Sequence, residues 1–183
     1  SAPQVDNGSS DNCGVLNLNL NNGNFNCSNL GANQVTLTVD DGNGNLSNCN
    51  STIFVEDNIV PVAACQDISI NLSIDGTANI QPSQIDAGST DNCGAPSLLL
   101  DQDQFDCTQI GQNQVTLTVE DANGNTNDCI ATVTVEDILN PNAQCLTKTI
   151  SLDSMGMASI TAQDVDAGSS DNCDVVNLSI NIT

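Results

Sequence analysis

Hydrophobic and polar positions alternate in short runs along this chain, separated by clusters of Gly, Asn, Asp and Pro. In "QDISINLS" the alternation puts Ile68, Ile70 and Leu72 on one face, and "GTANI" adds Ala78 and Ile80. The run "NQVTLTV" sends Val115, Leu117 and Val119 inward and Thr116 and Thr118 outward; "IATVTVED" adds Ala131, Val133 and Val135. A period of two marks a strand with one buried face, because successive side chains leave the backbone on opposite sides. β-branched residues dominate these runs, as half-buried pleated surfaces prefer. Helix signals are absent. Short strands between turn residues predict an all-β sandwich.

The pattern recurs every 80 residues: "VDNGSSDNCG" at 5, "IDAGSTDNCG" at 85 and "VDAGSSDNCD" at 165. "NQVTLTVDDGNGN" at 33 returns as "NQVTLTVEDANGN" at 113. A fixed period of this length predicts a tandem array of immunoglobulin-like β-sandwich repeats. The expected boundaries are 1–57 (N-terminal part missing), 58–137 (complete) and 138–183 (C-terminal part missing). The chain is thus expected to be a section of a longer array. With three Phe and no Trp or Tyr, each unit has a light aliphatic core. Such small cores are marginal, so cross-links and ions are expected to add stability.

Charge narrows the partners. The formal charge of -22 rests on 23 acidic residues against one basic residue, Lys148. Nucleic acid and anionic lipid repel such a chain, whereas a metal cation suits it. Hydrophobic content of 38% with clear alternation argues against a disordered acidic tail. No apolar run is long enough to span a membrane, so no membrane insertion is expected in these residues.

Nine cysteines without a histidine and without a C-x2-C pair predict disulfides rather than zinc. In a sandwich, the starts of the first and last strands of a unit share one pole, which predicts Cys65 with Cys129. Short loops predict Cys93 with Cys107 and, by the repeat, Cys13 with Cys27. Cys49, Cys145 and Cys173 are then left over, with partners expected outside these 183 residues.

The loops "DAGSTDNCG" and "EDANGN" are expected at the pole where the preceding unit's "VED" tail arrives. Glu56, Asp57, Asp86, Asp91, Asp121 and Asn123 are therefore candidate ligands at one junction, and Glu136, Asp137, Asp166 and Asp171 at the next. Asp6, Asp11, Asp41 and Asn43 are the counterparts in the first unit. Carboxylates, amides and carbonyls match structural Ca2+, which takes six to eight oxygens; Mg2+ wants a stricter octahedron and keeps its waters. Asp, Asn and Gly also build tight turns, so turn chemistry alone is the other reading of these loops.

Taken together, "DNCG", "VTLTV" and "DANGN" in this order and separation resemble the hyalin-type, immunoglobulin-like repeats of large bacterial (Bacteroidota) cell-surface adhesins and filament proteins. The third unit departs from the pattern, with Asp174 where Gly14 and Gly94 stand. The resemblance implies an extracellular, cell-surface location and a stalk or adhesive fibre. Its partners would be neighbouring repeats and other copies in a filament. "DSM" at 153 resembles the Asp-Ser/Thr-apolar O-glycosylation signal of that phylum, making Ser154 a candidate glycosylation site.

With no His, Tyr, Trp or Arg, the usual catalytic groups are nearly absent, and the chain is expected not to be an enzyme. A stalk or filament section, rigidified by disulfides and inter-repeat calcium, is the expected function. The alternative is that the repeats themselves grip glycans, surfaces or sister filaments. Scarcity of aromatic anchors favours the stalk.

Overall fold

Runs of alternating residues become strands, and the strands gather into two compact units. The structure, a computed structural model, describes residues 1–14, 16–174 and 177–181. One unit comprises Ser1–Pro61, Thr90–Ser97 and Glu120–Thr126; the other comprises Val62–Ser89, Leu98–Val119 and Asn127–Thr183. The first unit thus includes two loops, 90–97 and 120–126, from the central 80-residue sequence period.

In the first unit, β1 (Asn17–Leu20), β2 (Gly31–Asp40) and β3 (Leu46–Val55) form an antiparallel sheet in that order. Val35 and Leu37, two residues apart on β2, are each 1% exposed, as the alternation requires. The "DGNGN" turn between β2 and β3 closes on Asp41, whose carboxylate accepts from the Asn43 and Asn45 backbone amides at 2.8 and 3.1 Å.

The second unit holds most of β4 (Ile68–Asn71), β5 (Thr77–Asn79), β6 (Ser97–Leu100), β7 (Gln104–Asp106), β8 (Gly111–Glu120) and β9 (Thr126–Glu136). Their four-stranded sheet has the order β4-β9-β8-β6, with β4 parallel to β9, and β5 pairs with β7 in a small antiparallel ribbon. Val115, Leu117, Val119, Ala131, Val133 and Val135 are all at most 1% exposed. Leu72, Ile80, Ile85 and Phe105 complete this cluster, with Ala78, Ile68 and Ile70 packed against it. Ribbon and sheet therefore share one core, giving a β-sandwich-like layering.

Three single-turn helices, Ala2–Val5, Pro82–Ile85 and Ala162–Val165, correct the expectation of no helix. Four residues are too few to show a helical period. Their signals are caps: Pro82 opens its turn, and the Gln84 side chain accepts from the Gln81 backbone amide at 2.7 Å. That turn puts Ile85 fully inside the core, where no alternation had placed it.

In the third turn Asp164 accepts from the Thr161 backbone amide and hydroxyl at 2.9 and 2.8 Å and from Lys148 Nζ at 3.1 Å. These bonds, Thr161 first and Lys148 after it, lower the Asp164 pKa to about 2. A lowered folded-state pKa stabilises the fold above the ordinary value of 3.8 and ceases to do so as pH falls through about 2. Carboxyl NMR titration is expected to show a midpoint near 2, and Lys148→Ala to raise it only partly, because the Thr161 bonds remain. A return to the ordinary value in that variant would assign the shift to the ion pair instead.

Disulfides connect the elements. Cys65 is bonded to Cys129, Cys27 to Cys93 and Cys107 to Cys173. The short-loop pairings Cys93–Cys107 and Cys13–Cys27 are thereby corrected. Cys93 lies in loop 90–97 of the first unit, with its Cα 5.2 Å from that of Cys27, and Cys107 lies in the second unit 5.4 Å from Cys173. Both separations fall in the range a disulfide requires, and this proximity decides pairing; closeness along the chain does not. The unbridged cysteines are accordingly Cys13, Cys49 and Cys145, not Cys173, and all three are exposed. Three disulfides point to an oxidising environment. Among the described residues, no helix is long and apolar enough to cross a membrane.

One glycine makes room for a bridge. A Cβ on Gly76 would lie 2.7 Å from the Asn172 carbonyl oxygen and 2.8 Å from Cys107 Sγ, and its φ of +69° lies in the left-handed region. Asp174 keeps a left-handed φ of 71° where Gly14 has 88°, so Asp174 adopts the positive φ that its replacement of glycine put in question.

Candidate metal centre

Within the first unit, carboxylate oxygens of Asp57, Asp91 and Asp121 all lie within 4.8 Å of one another. Each comes from a different segment: Asp57 follows β3, Asp91 belongs to the "DNCG" loop, and Asp121 opens the "DANGN" turn. Asp57 and Asp121 are only 8% and 7% exposed.

Amides hold the carboxylates in place. Asn92 Nδ2 donates to both oxygens of Asp57, at 3.3 and 3.2 Å, and the Ile59 backbone amide donates to Asp57 Oδ1 at 3.1 Å. Asn125 Nδ2 donates to Asp121 Oδ2 at 2.7 Å and to the Asp57 carbonyl at 3.0 Å, tying the two segments together. Asp121 Oδ1 takes the Asn123 and Asn125 backbone amides at 2.9 and 2.8 Å. Burial raises the Asp121 carboxyl, but the bonds from Asn125 and Asn123 outweigh it, so its pKa lies below the ordinary value. Asp91 Oδ2 accepts from the Cys93 backbone amide at 2.8 Å, whereas its Oδ1 is buried with no partner.

Several acids expected at this junction are not part of the triad. Glu56, the first residue after β3, is exposed, whereas Asp57 beside it is buried. Asp86 caps its own turn, accepting from the Ser89 backbone amide at 2.8 Å, and Ser89 bonding lowers its pKa. Asn123 supplies a backbone amide to Asp121 while its side chain is exposed. Asn92 and Asn125, not singled out in the sequence, do the clamping. Recurrence of "DNC" and "NGN" at 80-residue spacing is the one sequence signal that could have found them.

The other expected ligands are placed as follows. Asn172 Nδ2 donates to Asp137 Oδ1 at 3.2 Å, repeating the Asn92–Asp57 clasp, and Asp171 takes the Cys173 amide at 3.3 Å. Among the described residues no third carboxylate joins them. Glu136 is exposed, and Asp166 caps its turn through Ser169. Asp6 caps Ser9, Asp11 accepts from the Cys13 amide at 2.9 Å, and Asp41 closes its turn with Asn43 and Asn45. For Asp86, Asp166, Asp6 and Asp41, turn chemistry accounts for the observed bonding. Ser154 is exposed in a turn.

No protein-family model and no curated protein matches this chain. Among solved structures, a variant of an endo-fucoidan hydrolase from glycoside hydrolase family 107 is similar at 15% identity and a TM-score of 0.28. The alignment covers 68% of this chain and 24% of the hydrolase, so the chain spans about a quarter of that protein's length. A likeness this low assigns no activity. The expectation that the chain is not an enzyme is withdrawn beside that match: the lack of His, Tyr, Trp and Arg does not settle it.

Proposed function

We propose that this chain is a section of an extracellular stalk or filament of tandem immunoglobulin-like repeats of the hyalin type, with successive repeats joined by calcium and by disulfides. The observation that carries the reading is the Asp57, Asp91 and Asp121 triad. It unites the tail of one sequence period with two loops of the next. Calcium–oxygen distances of about 2.3–2.6 Å let one ion bridge oxygens up to about 5 Å apart, which fits the observed spread. The all-oxygen donor set suits a hard cation rather than zinc. Asp91 Oδ1 supplies a buried acceptor with nothing to accept from, and buried acceptors of that kind are costly. Lys148, the single Lys or Arg, pairs with Asp164 and so leaves the triad without a side-chain counter-charge.

Bound there, calcium would neutralise converging carboxylates and fix the linker after β3 against the two loops. The Cys27–Cys93 bridge spans the same two sequence periods. In the extracellular calcium range, a site of about 0.1–1 mM affinity adds on the order of 1 kcal/mol by mass action. Its larger consequence is stiffness.

Small-angle scattering in millimolar calcium and in excess EGTA tests this reading. Chelation is expected to broaden the distribution of interatomic distances, and Asp91→Asn to reproduce that broadening with calcium present. Superimposable profiles in the two buffers would remove calcium from the junction.

A further inference from the structure

The three bridges overlap along the chain: Cys27–Cys93 and Cys107–Cys173 each span 66 residues, and Cys65–Cys129 spans 64. Tension applied at the two ends follows the shortest covalent route. That route crosses from Cys27 to Cys93, follows the chain to Cys107, and crosses to Cys173. Residues 28–92 and 108–172 lie off it.

From this connectivity we infer a mechanical function: the chain is a tether of capped extension, in which, between Cys27 and Cys173, only the 93–107 segment lengthens under load. Fully taut, that segment spans about 50 Å at the ~3.5 Å per residue of extended backbone. Without bridges, the stretch from Cys27 to Cys173 would pay out about 500 Å, roughly eight times more even after the bridges' own width is counted. The loaded segment contains β6, the edge strand of the four-stranded sheet, and β7 of the small ribbon. An edge strand has one neighbour to lose, so within this segment β6 and β7 are the strands that peel, and β1, at the edge of its own sheet and ahead of Cys27 on the route, peels in the same way. The β8 and β9 pairing, which supplies most of the core, falls inside the loop closed by Cys107–Cys173 and carries no tension while that bond holds.

Cys65–Cys129 has a different role. It lies off the shortest route and bears load only when another bridge is missing. If Cys27–Cys93 is removed, the shortest route detours through Cys65–Cys129 and grows by about 160 Å. Redundancy of this kind limits the lengthening caused by one broken bond. Use as a tether rests on the filament reading, whereas the cap on extension depends on disulfide connectivity alone and holds with or without calcium.

Single-molecule pulling on the whole chain through terminal handles, in EGTA, tests the cap separately from the calcium junction. The oxidised chain is expected to reach a final length about 450 Å shorter than the same chain reduced and alkylated. Cys27→Ala with Cys93→Ala is expected to add about 160 Å to the oxidised length, and Cys65→Ala with Cys129→Ala to add nothing. Final length depends on covalent connectivity and not on folding, so a destabilised variant still gives a reading. Equal lengths for the oxidised and reduced chains, or extra length from the Cys65/Cys129 variant, would overturn the proposal.

Discussion

Replacing Cys65 and Cys129 together with alanine is expected to lower stability by about 4 kcal/mol, the chain-entropy value for a 64-residue loop. The bridge constrains the unfolded chain: it joins the start of the 62–89 segment to β9, elements that are otherwise distant in sequence. Both cysteines also pack against the core cluster, so their loss removes contact as well as constraint. Chemical denaturation of the oxidised double variant against the oxidised parent measures the difference. A shift below about 1 kcal/mol would mean that the unfolded chain is held by the other two bridges and that this one is redundant for stability as well as for load.

A second large effect is expected at Leu117. It is fully buried at the centre of β8, and Leu117→Ala removes three carbons from a core of ten buried residues. Leucine truncations in such sites cost about 2–5 kcal/mol, from lost transfer energy and the cavity left behind. A core with one aromatic ring, Phe105, has few large neighbours to collapse into the space. Leu99→Ala is the control: on β6 with 68% exposure, it is expected to change stability by less than about 0.5 kcal/mol. Thermal melts of the two variants should separate clearly. Comparable losses would contradict the assignment of β8 as the centre of the core.

The strands were legible in the sequence because alternation is a local signal that burial of one face enforces. Val115, Leu117 and Val119 sit at every second position of β8 and all face inward. Ile85 was not legible, since a single helical turn leaves no period to read. Disulfide pairing was only partly legible. Cys65–Cys129 followed from where strands of a sandwich begin, but Cys27–Cys93 and Cys107–Cys173 depend on which unit the "DNCG" and "DNCD" loops join. Distances along the chain do not encode that choice.

Acidic residues showed the same division. Composition pointed to oxygen ligands at the loops, and three of the six residues expected at the junction do converge. The others were separated by details below the level of composition. Glu56 lies exposed just past the end of β3, Ser89 engaged Asp86, and Asn123 contributed its backbone instead of its side chain. The clamping amides, Asn92 and Asn125, looked like ordinary turn residues in an Asn-rich chain.

Calorimetric titration of the oxidised protein with calcium, alongside Asp91→Asn, tests the metal centre most directly. Asp91 is the residue to change because its Oδ1 makes no hydrogen bond that the fold would miss. A saturable site with a dissociation constant of about 0.1–1 mM is expected, weakened at least tenfold in the variant. An unchanged isotherm in Asp91→Asn, or no heat of binding in the parent at 10 mM calcium, would contradict a junction ion held by Asp57, Asp91 and Asp121.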